Sequence, residues 1–204
     1  MIITRHGSAF VKVTQGDTVF AFNPISREYD SKASKFGANA ALVSLRDPRF
    51  NGSDNVSFGS KEPMIIDGPG EYEIGGIFVR GFPSVGPEGK INTIYTTIID
   101  GIRLCHLGGL TKSDLSMETV EEIGIIDVLF VPISGEEFLT PKDALKLATV
   151  LEAKIIVPIL YDNGKELEFF LKEAGEEKII PIDKLSLKKK DVEDKEGEIV
   201  VINS

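Results

Sequence analysis

The 204-residue sequence predicts an α/β fold in which two sheets pack face to face and helices lie outside them. Three observations carry that expectation. The first half of the chain reads as short β-prone runs divided by turn residues, in the manner of a β-meander. The second half alternates buried strand runs with segments of helical periodicity. All of these runs need burial, and two sheets with outer helices bury them together. No linker, repeat or low-complexity segment divides the chain, so a single domain over residues 1–204 is expected.

The elements follow in order. Phe10 to Val13 and Thr18 to Phe22 flank Gln15-Gly16-Asp17, a hairpin signal. A short helix is expected over Ser31 to Phe36, closed by Gly37, and then a strand over Ala40 to Ser44. Met64 to Ile66, Gly70 to Ile74, Ile77 to Gly81, Thr93 to Ile99 and Ile102 to Leu107 read as strands, the last two joined by Asp100-Gly101. Leu115 to Ile123 reads as a helix ending at Gly124, and Val128 to Ile133 as a buried strand. Thr140-Pro141-Lys142-Asp143 starts the next helix, with Thr140 as N-cap, Pro141 in the first turn and Asp143 in the capping-box position. Ile155 to Leu160 is a buried strand, Glu166 to Ala174 a helix stopped by Gly175, and Ile179 to Ile182 a strand. A last hairpin is expected, pairing about Leu185 to Lys188 with Ile199 to Ile202.

Composition excludes several function classes. A net charge of −9 and a pI near 4.9 argue against unspecific binding to nucleic acid or to an acidic membrane. Lys188-Lys189-Lys190 is followed at once by Asp191, Glu193 and Asp194 and reads as a solvated hairpin in place of a binding patch. No window approaches a membrane span, and MIITRHGSAFVKV lacks the layout of a signal peptide, so a cytoplasmic location is expected. Cys105 is the single cysteine; it sits in an apolar run, where a buried thiol is expected in place of a nucleophile.

The stretch ALVSLRDPRFN, Ala41 to Asn51, ends a buried strand abruptly in charge. Arg46, Asp47 and Arg49 around Pro48 therefore mark a candidate site: an Asp47–Arg49 salt bridge, or an anion site in which Arg46 and Arg49 grip phosphate or carboxylate.

Three further segments carry a family resemblance. IIDGPGEYEIGGIFVRGFPS (65–84), IYTTIIDGIRLCHLGGL (94–110) and DVLFVPISGEEFLTPKDALKLATVLEAKIIVPILY (127–161) resemble the metallo-β-lactamase superfamily, in the branch of L-ascorbate-6-phosphate-lactonase-like zinc hydrolases. HGSAFVKV…VFAFNP is similar to the opening of the same family, so the likeness covers nearly the whole chain. It implies a four-layer αβ/βα sandwich of two mostly antiparallel sheets with outer helices.

The resemblance also implies a chemistry: zinc or manganese held by about five histidines and two aspartates at the strand ends, where it activates water and polarises a carbonyl or phosphoryl oxygen. Laid onto this chain, the family's histidine-rich motif falls on Ser44 to Phe50, with Leu45, Asp47 and Phe50 in histidine places and Arg49 in the aspartate's. Val85-Gly86-Pro87 fills the region of another histidine; the bridging aspartate becomes Gly109 and the last histidine Leu160. The opening ligand places hold Gly7 and Asn23. His106 matches a motif residue that is not a ligand, and the chain has two histidines in all.

The expectation is thus a noncatalytic member of the fold with no cofactor, kept as a binding or assembly module. Arg46, Asp47, Arg49 and His106 mark its vestigial site, and the partners expected are a small anion and a second copy of the chain. One alternative is a hydrolase with a carboxylate centre, using Asp47 with Asp67, Asp100 or Glu71 and a hard cation. Another is an anion-binding protein using Arg46 and Arg49.

Overall fold

The computed structural model describes residues 1–161, 164–176 and 178–204. Among these, the strands in chain order are β1 (Ile2–Arg5), β2 (Val11–Gln15), β3 (Thr18–Phe22), β4 (Ala40–Leu42), β5 (Met64–Ile66), β6 (Gly70–Ile74), β7 (Ile77–Val85), β8 (Ile91–Ile99), β9 (Ile102–His106), β10 (Val128–Pro132), β11 (Ile155–Ile159), β12 (Leu185–Ser186) and β13 (Glu198–Ile199). The helices are α1 (Met117–Ile123), α2 (Pro141–Val150) and α3 (Gly164–Glu173).

The strands form two mixed sheets. One has the order β12-β1-β2-β3-β4-β5, the other β13-β11-β10-β9-β8-β7-β6. In each, an antiparallel meander passes into parallel pairing, at β3–β4 in the first sheet and at β9–β10 in the second. The inner faces meet in one buried cluster that includes Ile3, Val11, Phe20, Phe22 and Leu42 from the first sheet and Tyr95, Leu104, Phe130 and Val157 from the second. This is the sandwich that the sequence predicts. Fully buried β10 and β11 read as continuous apolar runs because both of their faces are covered.

Helices α1 to α3 cover the outer face of the second sheet, where Ile123, Leu147, Ala148 and Phe170 pack on Leu129, Val131 and Ile156. Thr140 caps α2 as expected, its Oγ1 accepting from the Asp143 N–H at 3.1 Å and donating to Oδ2 of the same residue at 2.7 Å. Gly124, at φ +67°, ends α1.

Three expected elements differ. Ser31 to Phe36 is not helical. Asp30 holds it as a turn, its Oδ1 accepting from Lys32 N at 2.9 Å and its carbonyl from Ala33 N at 3.0 Å. The Phe36 ring then packs on Phe10 and His6, so ring contacts and not a helix cover this part of the first sheet. The expected C-terminal hairpin also does not form. β12 adds antiparallel to β1 in one sheet and β13 adds parallel to β11 in the other, so its two halves end on different sheets. Ile179 to Ile182 contributes only a bridge, Ile182 to Ile202.

Candidate functional site

The charged stretch after β4 meets the loops after β3, β9, β10 and β11 at one edge of the sandwich, where parallel strands end together. A buried hydrogen-bond network joins these loops. Asn23, held at φ +50°, accepts from Ser44 N through Oδ1 at 2.7 Å. Asn92 Oδ1 accepts from Gly109 N at 2.8 Å, and its Nδ2 donates to the Leu107 carbonyl at 2.9 Å.

His106 lies within this network and is fully buried. Its Nδ1 accepts from Gly108 N at 3.0 Å, with Asn23 Nδ2 at 3.3 Å, and its Nε2 donates to the Ala9 carbonyl at 3.0 Å. The proton therefore sits on Nε2. Between the stacked rings of Phe22 and Phe130, burial pushes the imidazole pKa down to about 3. The arrangement suits a neutral ring that fastens loops, and neither nitrogen is free to act on a bound molecule.

The centre of the edge is apolar. Leu45, Phe50, Phe138 and Leu160 are all buried, and Leu160 holds a left-handed φ of +53°. A Cβ on Gly109 would stand 2.3 Å from Leu45 Cδ1 and 2.9 Å from Phe138 Cε1, so these side chains fill the space that any longer residue there would need. Ser44 Oγ is buried and has no hydrogen-bond partner among the described residues. A Cβ on Gly108 would lie 2.6 Å from it, which leaves no room between the two loops.

Around this plug run ion pairs. Arg49 grips Asp47 with two nitrogens, Nε to Oδ1 at 3.0 Å and Nη2 to Oδ2 at 3.2 Å, while Nη1 reaches Glu137 Oε2 at 2.5 Å. The Arg49 hydrogen bonds hold the Asp47 carboxyl below its ordinary range, and Asp47 in turn raises the guanidinium pKa. Arg46 is elsewhere: its side chain is 83% exposed and pairs with Asp67 at 3.1 Å. The two arginines thus enter separate ion pairs. Arg49, Glu136 and Glu137 stand between a cleft of about 200 Å³, which Ser8, Ser134 and Leu160 also line, and one of about 600 Å³, which Lys90 and Lys112 line.

The other candidate carboxylates are dispersed. Glu71 pairs with Arg80, and Asp100 stands 3.7 Å from the N-terminal ammonium. Tyr72, beside Glu71, fastens a turn by donating to the Gly68 carbonyl at 3.0 Å. Cys105 is fully buried and its thiol pKa is pushed up by burial. Sequence reasoning missed Asn92, Glu137 and Phe138. The last two carried a signal: Gly135-Glu136-Glu137-Phe138 follows the buried run Val128 to Ile133 as abruptly as Arg46 to Arg49 follow Val43.

Comparison with known proteins agrees with the fold. A family model described as "Beta-lactamase superfamily domain" matches residues 2–160. A UPF0173 metal-dependent hydrolase of Anoxybacillus flavithermus is 28% identical, over 80% of this chain and 87% of its own length. A Bacillus cereus protein of the same name is 26% identical, over 82% and 88%. A Thermotoga maritima crystal structure, assigned to the Zn-dependent hydrolases of the metallo-beta-lactamase superfamily, superimposes with a TM-score of 0.82 at 27% identity, covering 98% of this chain and 97% of that one.

These relatives overturn the expectation that no cofactor is involved. Their names place a metal with the proteins this chain is similar to, and a metal is the cofactor that similarity points to. The residues at the strand-end edge do not fit that group. Leu45, Phe50, Gly109 and Leu160 offer no donor, and Asp47 gives both of its oxygens to Arg49. Among the described residues, no group of three or more His, Cys, Asp or Glu side chains is placed to hold an ion.

Proposed function

The chain belongs to the beta-lactamase superfamily, and from that premise we propose that it keeps the family's fold as a noncatalytic binding module. On this reading the family's ligand positions have been lost and the reacting edge has become a recognition surface. The observation that carries it is the packing of Leu45, Phe50 and Phe138 against Gly109, which fills the space where a reacting group would need to sit. Hydrolysis in a fold of this kind belongs to the site and not to the scaffold.

The ligand class that suits this edge is a small anion held by Arg49. Its guanidinium borders both clefts; on the larger side Lys112 stands beside it, while Lys90 is paired with Glu88 at 3.1 Å and Glu136 and Glu137 share the lining. Glu137 then acts as an internal counter-ion that the anion displaces, while Asp47 keeps the guanidinium oriented. The carboxylate-centred hydrolase receives no comparable support, because Asp47, Asp67, Glu71 and Asp100 stand in four different ion pairs.

The reading is tested by assaying p-nitrophenyl phosphate, bis(p-nitrophenyl) phosphate and a δ-lactone with zinc or manganese added. Rates no higher than those of the Asp47→Ala/Arg49→Ala variant are expected; saturable turnover that this variant loses would overturn it. Inorganic phosphate is expected to raise the melting temperature of the native chain and not that of Arg49→Ala. An equal rise in both removes Arg49 as the anion's anchor.

A further inference from the structure

The outer face of the second sheet is covered by helices over β10 and β11, but its other half is open toward the turns Gly75-Gly76 and Asp100-Gly101. Along these strands, the open end lies opposite to His106 and the strand-end edge. One rank of residues crosses four strands there. Glu73 on β6 is paired in register with Phe78 on β7, and Ile98 on β8 with Arg103 on β9. The register of Val79 with Thr97 sets Phe78 level with Ile98. The four side chains therefore share one face, in the order acidic, apolar, apolar, basic.

Sheet alternation calls for polar residues at solvent-facing positions. Phe78 and Ile98 are instead 67% and 48% exposed, while Val79, on the opposite face, is fully buried. Together with Arg80, Thr96 and Arg103 they line a groove of about 330 Å³. The charges at the ends of the rank are also unspent. Among the described residues Glu73 has no ion pair, and the Arg103 guanidinium donates to the Ile123 carbonyl at 3.1 Å without meeting a carboxylate. Arg80, one rank along, is by contrast saturated by Glu71 and Glu122.

We propose that this face docks a second copy of the chain. A two-fold axis along the strands, between facing sheets, reverses the rank. It lays Glu73 of one copy over Arg103 of its partner and Phe78 over the partner's Ile98, so that one patch completes itself twice. Because α1 stands over the next rank, with Glu122 on Arg80, the copies meet at the turn ends and diverge toward α1. Edge-to-edge pairing of β6 is disfavoured, since an antiparallel ladder centred on Tyr72 sets Glu71 against Glu73. The inference does not rest on the anion-binding reading, because Arg49 takes no part in this face.

The test is sedimentation velocity across a concentration series. The native chain is expected to show a monomer–dimer equilibrium, and Phe78→Asp to weaken it at least about tenfold. Glu73→Arg and Arg103→Glu each place like charges in contact and are expected to weaken it to the same degree. The double reversal Glu73→Arg/Arg103→Glu rebuilds both pairs and is expected to restore the dimer. Circular dichroism melts establish that each variant is folded, with Phe78→Ser replacing Phe78→Asp if the latter is not. A native chain that stays monomeric at about 0.5 mM, well above the micromolar affinities common for interfaces of ordinary size, would overturn the proposal. A dimer unmoved by Phe78→Asp, or weakened by the single reversals and not restored by the double one, would overturn it as well.

Discussion

Leu45 and Gly109 interlock: the leucine Cδ1 occupies the volume into which any Cβ at 109 would project, at 2.3 Å. Gly109→Asp is therefore expected to destabilise the fold by about 3 kcal/mol or more, combining overpacking with a buried carboxylate that lacks a partner. Leu45→Ala in the same chain should relieve part of that cost. Urea unfolding of the two single variants and the double measures the coupling, and strict additivity would refute the interlock.

The Asp47–Arg49 pair is two-pronged and mostly shielded, with side-chain exposures of 17% and 22%. A double-mutant cycle with Asp47→Asn and Arg49→Met should return a coupling of about 1 kcal/mol, above the median for surface pairs. Added salt should reduce it only slightly, whereas a coupling near zero would mean that the pair is as solvated as an ordinary surface contact.

Acid should unfold the protein through its histidines before its carboxylates. Burial lowers His106 to about 3, and it lowers His6, with help from Lys12, to about 4, both from an ordinary 6.5. The folded state therefore keeps them neutral where the unfolded chain binds protons. Their contribution is full above pH 6.5 and is lost as pH falls below it, for His106 at about 1.4 kcal/mol per pH unit down to its folded value. Chemical denaturation between about pH 4.5 and 6 should show the summed slope of the two histidines, steeper than one proton alone gives, and His106→Gln should show a shallower one.

Thr140 closes the first turn of α2 through Asp143. Thr140→Ala is expected to cost about 1 kcal/mol, and Thr140→Ser to cost less than half of that. Thermal melts of the two variants decide it; equal losses would mean that the methyl group and not the hydroxyl matters.

Legibility from sequence followed the range of the interactions involved. The α2 start was legible because the cap, the proline and the acid at the third position act within one turn. The hairpin of β2 and β3 was legible for the same reason. The C-terminal segment misled because Leu185–Ser186 and Glu198–Ile199 each look β-prone, while the choice of partner belongs to strands that are distant in sequence. Ser31 to Phe36 misled because ring packing against His6 and Phe10 outweighed a weak helical preference. At the site, Arg49 and Asp47 were visible as neighbours in sequence. Glu137, 88 residues on, was not, because its role arises only where two strand ends converge.

The pairing of β12 with β1 has a further meaning during synthesis. Ile2 and Ile3 find Ser186 and Leu185, and the N-terminal ammonium donates to the Leu187 carbonyl, so the first strand waits for one of the last. Until that segment emerges from the ribosome, the nascent chain carries an open hydrogen-bonding ladder along β1, with exposed Ile2 beside it. The interval is set by translation speed, and the ladder along β1 stays open until Leu185 and Ser186 are available to close it.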